Sequence, residues 1–173
     1  FGGPRASARM LSHMTAEWEA KGIWQDYQDD YEDRFETKPH LVRPSVLGLD
    51  NYADVYVGQQ AKKYLKSYRR SEPWFCWVSF GGPHEPWDTP EPYASLYDIE
   101  QMPPPIPRPN DDRTRSQGGL DRLLARLNPQ FEPGDVAKMR ANYAGNVTLI
   151  DHQIGEVLRS EERRVGKECR SRR

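Results

Sequence analysis

Cysteine is nearly absent from this chain. Two occur in 173 residues, and one of them, Cys169, lies in a terminal stretch that reads as foreign. The other, Cys76, cannot build a disulfide framework or a cysteine metal site by itself. Long apolar runs are missing as well: no segment reaches membrane-spanning length, and the start shows no signal-peptide pattern. Hydrophobic residues make up 36% of the chain and the mean hydropathy is −0.94, low for a compact domain. Fifteen prolines are what the chain has in excess, and they imply long irregular connections around a modest core. The length suits one domain with a core of its own. An opening Phe1 in place of methionine predicts a processed or partial product, so compartment is not legible, and neither is oligomeric state.

A basic surplus is lacking too, once the tail is set aside. Residues 159–173 begin Arg159-Ser160-Glu161-Glu162-Arg163-Arg164. They resemble the in-frame translation of a sequencing-library adapter with opening codons AGA TCG GAA GAG. The expected organisation is therefore a single domain segment over 1–158 and an artefactual tail over 159–173. A genuine nucleic-acid-binding tail is the alternative. The tail carries seven basic and three acidic residues, so 1–158 holds 18 basic against 23 acidic, a net charge of −5. Nothing there suggests a polyanion, and no nucleic-acid partner is expected.

In chain order, Phe1 to His13 reads as a loop, and Thr15 can cap a short helix carrying Trp18, Trp24 and Tyr27, weakened by Gly22. Acids alternate with Tyr27, Tyr31 and Phe35 between Asp26 and Glu36. Their spacing fits no EF-hand, so solvated acids around buried aromatics are expected rather than a calcium site. Thr37 to Leu49 is a connection, with His40 on its surface. Asp50 can start a helix to about Arg70, with Val57, Ala61, Tyr64, Leu65 and Tyr68 at helical spacing. The proline run Pro103-Pro104-Pro105 predicts a stiff path across the surface more readily than a partner-binding helix. Leu120, Leu123, Leu124 and Leu127 mark a short helix. From Asp135 to Leu158, Val136, Met139, Tyr143, Val147, Ile150, Ile154 and Val157 step by three or four, the clearest helical signal in the chain.

Between the two long helices lies the stretch that carries chemistry. Trp74 to Phe80 is an apolar and aromatic run broken only by Ser79, too short for a typical helix and too apolar for an exposed strand. It predicts a strand buried on both faces. Gly81-Gly82-Pro83 ends it, leaving His84 just past the strand's carboxyl end, where α/β folds collect their ligands.

Phe75-Cys76-Trp77-Val78-Ser79-Phe80-Gly81-Gly82-Pro83-His84-Glu85-Pro86-Trp87, followed by Pro90-Glu91-Pro92-Tyr93 and Met102-Pro103, resembles the central segment of the sulfatases. Asn142-Tyr143-Ala144 leading to Ile150-Asp151-His152-Gln153-Ile154-Gly155-Glu156-Val157-Leu158 resembles their long helix. The pair, in the family's order, spans roughly Asp50 to Leu158. The resemblance implies an α/β fold: a partial sulfatase-like α/β sandwich with one buried central strand, two long flanking helices and long Pro-rich loops. It implies hydrolysis of small-molecule or glycan sulfate esters by a cysteine-derived formylglycine and a divalent metal, usually calcium, in the full-length parent. His84 takes the matching place of the residue that compensates charge on the departing oxygen, a task suited to imidazole because it titrates near neutrality. Trp87 is a candidate substrate contact.

Other features depart from the family. No C-x-P-S-R or S-x-P-S-R motif exists. Cys76 is followed by Trp77-Val78-Ser79 and suits core packing. Cys169-Arg170-Ser171-Arg172 lacks the proline. The acidic metal ligands are missing, so no bound metal is expected on the residues present. His152 beside Asp151 invites a metal reading, but adjacent helical residues diverge; Asp151 is expected to make a buried hydrogen bond and His152 to be exposed. Two rivals remain: a phosphonate or phosphate monoester or diester hydrolase of the same alkaline-phosphatase-like superfamily, and a non-enzymatic carbohydrate- or peptide-binding module. The fragment by itself is expected to be inactive.

Overall fold

The computed structural model describes residues 12–37, 40–69, 72–106 and 131–171, with no side-chain detail at 35, 37 or 161–171. Five helices and one short 3-10 turn make up the regular structure among the described residues. Helix α1 (His13–Ala20) begins one cap earlier than expected. Ser12 is the N-cap and Thr15 its reciprocal partner, so two of the first turn's orphan amides are satisfied together. Gly22, at φ 72°, adopts the left-handed geometry that separates α1 from α2 (Trp24–Thr37). The acids of 26–36 thus lie on a helix. Asp30 is buried, not solvated: it pairs with Arg34 one turn on and with Arg43.

Helices α3 (Gly48–Asn51) and α4 (Ala53–Ser67) are two pieces of the helix expected from Asp50, broken at Tyr52, whose ψ is 140°. The final helix, α5 (Asp135–Ser171), runs continuously past Leu158. Contacts between α4 and α5 climb together, Asp54 near Asn146, Gly58 near Gln153 and Lys62 near Glu156. The two helices therefore run parallel. A Cβ on Gly58 would overlap the Gln153 side chain, so glycine here sets the close approach. Tyr52, Val55 and Leu149 form the buried cluster, with Leu49, Tyr93 and Ile150 packed against it.

An α/β sandwich with a buried central strand is not what the described residues form. They are helical, with no strand or sheet among them, and one isolated parallel bridge joins Val42 to Trp87. Residues 74–80 lie outside any helix or strand, and Phe75 and Trp77 are 87% and 79% exposed. A strand is buried only if its edges are paired and its faces covered. Among the described residues no second strand lies alongside, and the apolar run meets solvent. Cys76, read as core packing, is exposed with it.

His40, read as a surface residue, is buried. Its Nε2 lies 3.3 Å from Asp135 at the start of α5, and its ring packs at a tilt of 45° against Phe131, centroids 4.5 Å apart. Arg140 donates to the Pro103 carbonyl (2.8 Å), fastening the exposed proline run to α5. The helix expected around Leu120–Leu127 lies outside the described residues.

Candidate active site

The loop carrying His84 is anchored at both ends by buried polar groups. At its entry, Asp54 in the first turn of α4 accepts hydrogen bonds from the amides of Gly81 (2.7 Å) and Gly82 (3.1 and 3.2 Å). Asp54 is 2% exposed. Burial pushes its carboxyl above the usual range, opposed by hydrogen bonds from the two glycine amides and Asn146. The fit is close: a Cβ on Gly82 would collide with Asn146 Oδ1 and Asp54 Oδ2. Only a residue without a side chain lets the backbone reach this carboxylate.

The loop's exit is held by a second chain of bonds. Asn146 Nδ2 on α5 donates to Tyr52 Oη (2.9 Å), and Tyr52 Oη donates to Asp88 Oδ1 (3.0 Å). Next to it, Thr89 Oγ1 donates to Asn142 Oδ1 (3.0 Å). Burial raises Asp88 to about 6, against the pull of Arg34 and of hydrogen bonds from Tyr52 and Ser45. Arg34, 2% exposed, donates to Asp30 and to the carbonyls of Leu41, Arg43, Pro44 and Trp87. A planar guanidinium with five donors can tie α2, the 41–44 segment and the loop exit in one place.

Between these anchors His84 stands free. Its side chain is 74% exposed. Nδ1 faces the Glu85 carbonyl (3.0 Å) and carboxylate (3.1 Å), which occupies one ring nitrogen and leaves Nε2 for a ligand. His84 lies on the rim of a cleft of about 500 Å³ lined also by Trp18, Trp24, Tyr27, Tyr52 and Asp88. Trp87, three residues on, is half-buried, with its ring 6.5 Å from Tyr143, and does not line that cleft. The structure thus brings His84 to a concave surface and sets Trp87 against α5.

Asp151 and His152 do not converge. Asp151 faces solvent and makes no buried hydrogen bond, contrary to the sequence reading, while exposed His152 takes Tyr93 Oη at 2.8 Å. Among the described residues no three His, Cys, Asp or Glu side chains converge to hold a metal ion. The described residues therefore do not fit the divalent cation that the family resemblance implies.

Sequence reasoning missed Asp54, Tyr52, Asp88, Asn146 and Arg34. Only Asn146 carried a signal, its spacing from Asn142. Asn142 and Asn146 sit one turn apart on α5 with Ala141 and Gly145 between their rows, a small and polar stripe that apolar periodicity passes over.

The sulfatase family model matches residues 10–163. The chain belongs to the sulfatase family. Among curated relatives, it is 29% identical over 166 residues to an arylsulfatase of Clostridium perfringens, covering 84% of this chain and 34% of that protein. It is 27% identical over 129 residues to the multifunctional alkaline phosphatase superfamily protein PehA of Trinickia caryophylli, covering 67% of this chain and 25% of that protein. This sulfatase chain spans a quarter to a third of the length of those relatives. No helix among its described residues is long and apolar enough to cross a membrane.

Proposed function

We propose that this chain is part of a sulfate-ester hydrolase in which His84 serves the departing oxygen. The observation that carries the reading is the double anchoring of the His84 loop: buried carboxylates and amides fix Gly81–Gly82 and Asp88 while the imidazole between them is exposed at a cleft. Spending two buried acids to hold one loop is reasonable where the loop's geometry matters. In the net reaction a sulfate S–O bond breaks, water supplies the new oxygen on sulfur, and the leaving oxygen ends protonated. A protonated His84, with Nδ1 directed at Glu85, can deliver that proton from Nε2. In the parent enzyme, formylglycine and a divalent cation, calcium in the usual case, would supply nucleophile and charge neutralisation. Neither is furnished by the described residues, so the chain alone is expected not to turn over. Trp87 stands as a second proposed substrate contact, to be tested separately because its ring lies against Tyr143.

A transplant tests this. Residues 12–158 would replace the matching segment of the Clostridium perfringens arylsulfatase, leaving the adapter-like 159–173 behind. The chimera is expected to hydrolyse 4-nitrophenyl sulfate, with His84→Ala lowering kcat by about 10²–10⁴-fold. A folded chimera whose rate is indifferent to His84 would sink the assignment. Because one relative is named a multifunctional alkaline phosphatase superfamily protein, a phosphate- or phosphonate-ester hydrolase is the second reading. A kcat/KM ratio favouring 4-nitrophenyl phosphate over the sulfate would select it.

A further inference from the structure

The cleft beside His84 has a lining that neither ester cleavage nor loop anchoring requires. Trp18 on α1 and Trp24, Tyr27 and Tyr31 on α2 all contribute to it. Their rings are set against one another with centroids 4.9 to 6.2 Å apart, so they present connected aromatic surface. The charged groups among the lining residues are Asp54, Glu85 and Asp88 besides His84, with no lysine or arginine. Arg34, whose charge acts on Asp88, is buried and held by Asp30 and four carbonyls.

These features separate the possible occupants. Apart from His84 at the rim, every charged lining group is a carboxylate, and a low-dielectric cleft so lined concentrates negative potential. A sulfate or other anion inside would face Asp88 and Glu85 with only His84, at the rim, to offset them. Its place is therefore outside, on the solvent side of His84. A neutral apolar group would gain contact with the rings and nothing from the carboxylates. An organic cation gains from both, because aromatic faces attract positive charge and the acids at base and rim do the same.

We propose that this cleft is a subsite for a small organic cation, an alkylammonium or benzylammonium group carried by the leaving-group side of the ester. The assignment to the leaving group rests on the sulfate-ester reading above, whereas the seat for the cation stands on the cleft alone. Ionised Asp88 at its base and Glu85 at its mouth would bracket the charge, with Trp24 and Tyr27 supplying the apolar wall.

Calorimetric titration of the 173-residue chain at neutral pH with three probes of similar size tests it: benzyltrimethylammonium, benzyl alcohol and benzenesulfonate. The cation is expected to bind about tenfold or more tighter than the alcohol, and the sulfonate more weakly than either. Asp88→Asn and Glu85→Gln should each reduce the cation's advantage about threefold or more while leaving the alcohol's affinity unchanged. Glu85→Gln, at a side chain 43% exposed, keeps the test open if the buried variant does not fold. Equal affinities for cation and alcohol, an advantage untouched by Glu85→Gln, or no binding at all would each overturn the subsite. If the cation binds as expected but the chimera cleaves no sulfate ester, the hydrolytic reading fails and the cation seat survives it.

Discussion

Asp88 is the residue whose chemistry is most changed by folding. Burial raises its carboxyl to about 6, despite Arg34 nearby and hydrogen bonds from Tyr52 and Ser45, with Asp30 adding to the rise. The ordinary value is 3.8, so the folded chain holds this proton more tightly than the unfolded chain. The stability it contributes is complete below pH 4, falls as pH rises from about 4 to about 6, and stays at the lower level beyond. Two pH units correspond to about 3 kcal/mol. Asp54, also raised by burial, acts with the same sign. Asp88→Asn keeps an acceptor for Tyr52 and removes the titration. Urea midpoints at pH 4.5 and 7 are therefore expected to differ less in the variant than in the parent chain, with the variant more stable at pH 7. An unchanged pH dependence would mean that this carboxyl is solvated rather than enclosed. Nothing in the sequence announces such a residue, since Asp88 follows Trp87 in a loop like many surface acids. Its burial depends on Tyr52, 36 positions earlier, and on Asn146 beyond it.

At the scale of elements, the long helices were legible and their packing faces were not. The 3.6-residue period locates α4 and α5, yet Tyr143, Val147 and Ile154 of the α5 stripe are exposed, while Ala141, Asn142, Gly145, Asn146 and Leu149 are buried. Asn146 meets Tyr52 and Asp54 beside α4, while Asn142 and Gly145 meet Thr89 and Tyr93 of the loop, because the loop anchors need polar partners on this face of α5. Large apolar residues could not supply them. Residues 74–80 fail as a strand for a related reason: an apolar run specifies burial only when a neighbour offers the hydrogen-bond ladder. No amide from Trp74 to Phe80 donates a hydrogen bond among the described residues, whereas those of Gly81 and Gly82 are held by Asp54. Hydrogen exchange should therefore change abruptly within three residues. Amides 74–80 are expected to exchange near the unprotected rate and those of 81 and 82 slower by about tenfold or more. Asp54→Asn should erase the step, whereas slow exchange throughout 74–80 would point to a pairing the chain does not otherwise display.

For the whole molecule, the same division separates what the chain holds from what the chemistry of its family uses. The buried acids and several others are already engaged: Asp30 and Asp33 with Arg43, Asp54 with two glycine amides, Asp88 with Tyr52, Glu156 with Lys62 and Arg159. A cation drawing on these would have to break their contacts, and no three ligands converge among the described residues. Folding should then be indifferent to calcium. A site with Kd near 10 μM, saturated at about 1 mM calcium, would add about 2.7 kcal/mol and raise Tm by a few degrees. The expected result is coincident melting curves in excess calcium and in EDTA. A calcium-dependent rise of several degrees would show ligands assembling outside the described residues.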